Sequence, residues 1–470
     1  MQDVLGGLAE NPALPERLFE RLVEAGEEDV RLLLARRDDL TETQARTLRA
    51  HDDVDVWTLV AHRKITWAEV PRDDPHLLVA AAQAGIAPEA AVRELAAHPD
   101  REVRAGLAFY VTGLPPDLLA ALARDADPHV AASAAQSPEL SSGLAEELAR
   151  HPHVVVRAEF ARNEHAPPAL LASLLADGGH PAPTRCAACH SRDERCADHW
   201  PGVRRIRLAA ATNPAVPPAG LEEFLDADEA WVVDAFAERT DLPPHVHPRL
   251  AAHPVASLRA TVARNATIGE SLLLQLADDP DPDVSLAVAE NPAVPLARLA
   301  ALAGRARLPR EPLPRILAAT DAELHELAGS RVAQVRALVA ARPDLPAGLL
   351  NLLVADPDIG VARRIAPHPA LGEHRLADLV ERHGPPVYGA AARNPGCPPA
   401  LLRRMARDAE SVRKALRTIA AHPATPPDVV EGLLADPDPR VAHAAAAHPS
   451  LPVETMERLV EQAAEGRPRT

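Results

Sequence analysis

The chain has 470 residues and a formal charge of −17, with 47% hydrophobic but only 2% aromatic residues. The acidic balance argues against holding nucleic acid by bulk electrostatics, which needs an excess of Lys and Arg. Few aromatics and no sustained two-residue alternation of β-branched side chains exclude wide sheets, so the expected core is Leu, Val and Ala between closely packed helices.

From the start of the chain, MQDVLGGLAENPALP shows no basic-then-apolar leader pattern, and no run of 18 apolar residues follows anywhere. A cytoplasmic protein without a membrane partner is the expectation. The 48 prolines recur at regular intervals instead of clustering. Asn265 to Glu290, NATIGESLLLQLADDPDPDVSLAVAE, aligns without a gap on His422 to Ala447, HPATPPDVVEGLLADPDPRVAHAAAA. The same frame places an Asn, His or Ser at Asn11, Ser137, Asn163, Asn213, Asn265, Asn291, His368, Asn394, His422 and His448, mostly 26 residues or near multiples apart.

Each unit reads as two short helices. The first carries apolar residues at helical spacing, as in Leu296, Leu299 and Leu302, and ends at a His-Pro or Asp-Pro such as His98-Pro99, Asp127-Pro128, Asp356-Pro357 or Asp436-Pro437. Proline stops one helix and suits the first turn of the next, and Asp is a good N-cap. The second helix is only about two turns long, too short to be stable alone, so consecutive units must stack.

The recurring frame, N-P-x-[LV]-P-x-x-L-L-x-x-L-A-x-D-P-D-x-x-V-R-x-x-V-A, resembles the leucine-rich repeat variant family over nearly the whole chain. The resemblance implies an all-α, right-handed α-solenoid of alternating α- and 3-10 helices. A HEAT-like array, with units of ~40 to 47 residues, fits the short period less well.

Two columns invite functional readings. Arg31, Arg104, Arg157, Arg207, Arg259 and Arg336 each follow an apolar residue of a second helix, and stacking lines them up. Because aligned units carry Ala131, Ser285, Ala362 and Ala442 instead, pairing with the Asp-rich links or helix-end carbonyls is favoured over an anion-binding stripe. In the second column Asn163, Asn213, Asn265, Asn291 and Asn394 alternate with histidines, and a position that takes either amide or imidazole reads as a turn-bonding residue, not a proton carrier. No phosphate loop, nucleophile elbow or His-Glu-x-x-His is present, and the lone His325-Glu326 does not match di-iron helical-repeat hydroxylases. The protein is therefore expected not to be an enzyme.

One unit departs from the period. Asn163 and Asn213 stand 50 residues apart, and the 24 surplus residues fall between the two helices of one pair. This insertion holds TRCAACHSRDERCADHW, in which Cys186-x-x-Cys189 and Cys196-x-x-His199 form two ligand hooks. Their spacing suits a closed tetrahedral zinc site, with His190 as an alternative fourth ligand. A c-type haem attachment at CAACH and three free thiols are weaker readings. Some leucine-rich repeat variant proteins carry a four-iron four-sulfur (4Fe-4S) cluster in an N-terminal cysteine segment, so that resemblance implies an iron-sulfur redox or sensing protein as the alternative. Cys397 sits in a repeat joint and reads as packing.

The expected organisation is an N-terminal repeat array (1–178), a Cys/His-rich insertion (179–203), a C-terminal repeat array (204–462) and a flexible tail (463–470). The expected function is a monomeric protein-protein interaction scaffold with a structural zinc loop and a protein or peptide partner.

Overall fold

The computed structural model describes residues 1–51, 56–178, 199–218, 221–224, 236–237, 239–305, 308–309, 311–408 and 413–465. Among these residues all regular structure is helical and no strand occurs. The helices come in short antiparallel pairs, for example Ser142–Ala149 followed by Val154–Arg162, and Ala347–Val354 followed by Ile359–Ile365. Both members of a pair are α-helices. Separate 3-10 helices occur, among the described residues, at Trp67–Glu69 and Leu221–Phe224.

The sequence dictates each boundary. Ser141 and Thr320 accept a backbone N–H to open first helices, while Pro167 or Pro426 precedes a proline in others. Several second helices are opened by an aspartate: Asp127, Asp281 and Asp438 each cap a turn that begins with a proline. Along every second helix two apolar residues four apart form a buried stripe, such as Val156 with Phe160, Val284 with Val288, and Val361 with Ile365, all 0% exposed. Burial of such a pair contributes ~3 kcal/mol or more, which the isolated two-turn helix lacks.

The chain forms two compact units, Ile65–Asn291 and a second built from Met1–Lys64 with Pro292–Thr470. In the first, the second helices Arg101–Tyr110, Pro128–Ala135, Val154–Arg162 and His199–Thr212 stack in succession. In the second unit the stack runs through Ala333–Ala340, Ile359–Ile365, Pro385–Ala391, Arg413–Ala420 and Pro439–Ala446. It then continues into Gln2–Glu10 and Glu28–Ala35.

The opening segment of the chain thus takes its place after the last repeat. Helix Val453–Glu465 supplies the first helix of a pair and Gln2–Glu10 the second. Gly7 permits the close crossing, since a Cβ there would collide with the His443 carbonyl and lie 2.8 Å from Ala446 Cβ. Asn11 seals it, its amide donating to the carbonyls of Ala446 (2.9 Å) and His448 (2.8 Å). Arg17 pairs with Glu457 at 2.6 Å beside it.

Candidate functional site

The polar residues singled out by sequence converge on the joints between successive helix pairs. Asn163 donates both amide hydrogens, to Ala135 O (3.0 Å) and Ser137 O (2.8 Å), and its Oδ1 accepts from His165 N at 2.9 Å. Asn265, Asn291 and Asn394 bond the carbonyls 28 and 26 residues back in the same way, at 2.6–3.3 Å. A primary amide is the side chain whose two donors and one acceptor meet this demand. Asn213 reaches Ala161 O (2.8 Å) and Asn163 O (2.9 Å) across 50 residues of sequence, so the joint after the long unit has the ordinary geometry.

Histidine reproduces the amide with a ring. His448 Nε2 donates to His422 O at 2.8 Å and its Nδ1 accepts from Ser450 N at 3.1 Å, while His422 does the same with Asn394 O and Ala424 N. These bonds fix the neutral Nε2–H tautomer. Burial depresses the pKa of His448 and of His368, which is only 5% exposed.

Three further members of this column are arginines that residue identity alone conceals. Arg37, Arg239 and Arg342 each donate through the guanidinium to carbonyls of the preceding pair: Arg37 to Ala9 and Asn11 (both 2.8 Å), Arg239 to Asn213 (3.0 Å) and Val216 (2.7 Å), Arg342 to Ala319 (2.7 Å). The other edge of each guanidinium grips an aspartate two residues on, Asp39, Asp241 or Asp344. Their signal in the sequence is an Arg at the 26-residue position followed by x-Asp-Leu.

The second-helix arginines clamp one pair to the next. Arg104 binds both carboxylate oxygens of Asp125 (2.7 and 3.0 Å), Arg259 both of Asp279 (2.8 and 2.8 Å) and Arg336 both of Asp356 (2.5 and 2.9 Å). Each also donates to a carbonyl at the mouth of its own helix, His98, His253 or Ser330. Arg157, 4% exposed, donates to His151 O at 2.5 Å. The clamped aspartate in turn accepts from the N–H of the capping aspartate two residues on, as Asp356 does from Asp358 at 2.9 Å.

The guanidinium bonds hold Asp125, Asp279 and Asp356 below the usual carboxylate range. A carboxylate with a depressed folded pKa stabilises fully above its unfolded value of about 3.9, and that contribution disappears as pH falls through the folded value. The buried histidines act in the same direction from about 6.5, because the fold holds them neutral while the unfolded chain binds the proton. Thermal melts are therefore expected to decline in two stages on acidification, first below about pH 6.5 and again below about pH 4. His448→Asn, which supplies the same bonding groups without a titration, should keep the neutral-pH melting temperature and shrink the first stage; an unchanged pH profile would remove His448 from this account.

Among the described residues no group of three or more His, Cys, Asp or Glu converges as a metal would require. No helix among them is long and apolar enough to cross a membrane. Cys186, Cys189, Cys196 and His190 lie outside the described residues, as does the side chain of His199, the first residue of helix His199–Thr212. Cys397 is buried, at 2% exposure, with its thiol pKa pushed up to about 12 by burial.

Residues 333–358 match the family described as leucine rich repeat variant. No curated protein matches the chain. A solved structure described as a leucine-rich repeat variant with a novel repetitive protein structural motif aligns at 24% identity, covering 50% of this chain and 86% of that one, with a TM-score of 0.29. The matched segment contains one complete clamp, Arg336 with Asp356, and the capping Asp358. The chain carries the leucine-rich repeat variant repeat, and helix pairs along its length reuse the joints of that unit.

Proposed function

We propose that the protein is a non-enzymatic scaffold that binds a protein or peptide partner through its exposed helix faces, with a zinc-closed loop at Cys186, Cys189, Cys196 and His199, or His190 in place of His199. One observation carries the reading: the Asn, His and Arg side chains of the repeating columns are consumed in stitching one helix pair to the next. What remains for recognition is the outer surface of the helices, the usual offering of a repeat array. Selection of a random peptide library on the full chain tests it. Enrichment of a common motif that binds in solution is expected, and a selection that enriches nothing would end the proposal.

For the loop, three thiolates and an imidazole match the donor set of a closed structural zinc site, and such thiolates suit a reducing, cytoplasmic setting. Cys397 makes a native thiol count informative, because burial and a pKa near 12 keep it silent. Protein purified without oxygen is expected to hold one zinc and to show no fast-reacting thiol, and three should appear after chelation. Iron with inorganic sulfide in that preparation would replace the zinc reading with the cluster, and three reactive thiols before chelation would remove the metal altogether.

A further inference from the structure

In the unit formed by 1–64 and 292–470, a groove of about 730 Å³ crosses the second helices Ile359–Ile365, Pro385–Ala391 and Arg413–Ala420. Among the described residues its walls carry Arg363, Arg364, Arg393 and Lys414 against a single carboxylate, Glu311. On a chain of net charge −17 this is a local reversal of sign. Among the described residues Arg363 and Lys414 meet no carboxylate; Arg104 and Arg259, by contrast, are each clamped on an aspartate. Arg363 Nε donates to Pro386 O at 2.8 Å, a contact that holds its guanidinium in place without neutralising it, and Arg364 donates to Pro309 O at 2.7 Å. Between the charges the floor is made of small residues. A Cβ on Gly389 would sit 3.6 Å from Ala415 Cα, so the helices Pro385–Ala391 and Arg413–Ala420 lie close together there.

We propose that this groove seats an extended acidic peptide segment of a partner protein, with its carboxylates on Arg363 and Lys414; the proposal rests on the scaffold reading and names its partner class. Three stacked helices at ~8–10 Å spacing span roughly 20 Å, the reach of about six extended residues. Carboxylates in such a segment meet guanidinium and ammonium groups in an open, hydrated groove, a geometry that favours charge pairing over enclosure of a small molecule. A polynucleotide fits less well, because its dense phosphate charge is repelled by the rest of this acidic molecule.

The test is fluorescence anisotropy on the full chain at about 50 mM salt, with a labelled octapeptide of alternating Glu and Ala as probe. An alternating Lys and Ala octapeptide and an eight-nucleotide oligothymidine serve as comparisons. Saturable binding of the Glu peptide alone is expected, weakened about tenfold by Arg363→Glu combined with Lys414→Glu and weakened again at about 200 mM salt. Lys414→Glu alone should lower affinity several-fold without moving the melting temperature, since its side chain bonds none of the described residues. No binding of the Glu peptide, binding indifferent to both substitutions, or tighter binding of oligothymidine would each overturn the proposal. Library-selected peptides that ignore Lys414→Glu would leave the scaffold standing and the groove refuted.

Discussion

Asn394→Asp is expected to cost about 4–6 kcal/mol, more than the ~3 kcal/mol expected for Asn394→Ala. Asn394 is 0% exposed, and its amide donates to Ala366 O (3.0 Å) and His368 O (2.8 Å) while Oδ1 accepts from Gly396 N (2.8 Å). Alanine leaves those carbonyls without a donor. Aspartate does so too, and places a charged oxygen against them in a fully buried site. The added carboxyl should have a raised folded pKa, so its penalty shrinks as pH falls through that value toward about 3.9, and protonation returns one donor. The variant's pH trend then opposes that of the parent. Because long repeat arrays lose two-state behaviour, the readout is amide exchange of peptides spanning 366–370 and 394–397, alongside urea unfolding. Loss of protection confined to these joints is expected, and an Asp variant no worse than the Ala variant would contradict the donor role.

The clamp at Asp356 should yield the second large effect. Asp356→Ala removes two bonds from Arg336 and the acceptor for Asp358 N, leaving a guanidinium whose side chain is only 16% exposed with a single carbonyl partner. Breaking one side of such a pair costs about 3 kcal/mol. Replacing both, as Arg336→Met with Asp356→Leu, should be milder than Asp356→Ala alone, because no charge is left stranded. A double-mutant cycle from thermal melts measures the difference, and a double variant worse than the sum of the singles would show that the pair is not the unit of stabilisation. Asp125→Ala and Asp279→Ala face the same geometry at Arg104 and Arg259.

The period, the helix pairs and the Asn joints were legible because all three depend on local chemistry: proline ends a helix, and an amide in a fixed place repeats its bonds. The acidic links were legible only in part. In Asp279-Pro280-Asp281-Pro282 the first aspartate is the clamp acceptor and the second is the cap, a division that spacing alone does not assign. Arg37, Arg239 and Arg342 escaped because a guanidinium and an amide look unrelated as letters while offering the same N–H groups to the same carbonyls. The meeting of Gln2–Glu10 with Pro439–Ala446 is written nowhere in a repeat pattern, since every unit carries the same apolar stripe and the pattern does not say which ends meet.

That meeting fixes a sequence of events during synthesis. Helix Gln2–Glu10 emerges with Leu5 and Leu8 destined for full burial, but the carbonyls of Ala446 and His448 that Asn11 needs are made 435 and 437 residues later than Asn11 itself. At ~5–20 residues per second the ribosome takes on the order of 20–90 s to cover the distance. Throughout that interval one flank of helix Gln2–Glu10 stays bare, and it is covered only when translation has delivered Pro439–Ala446.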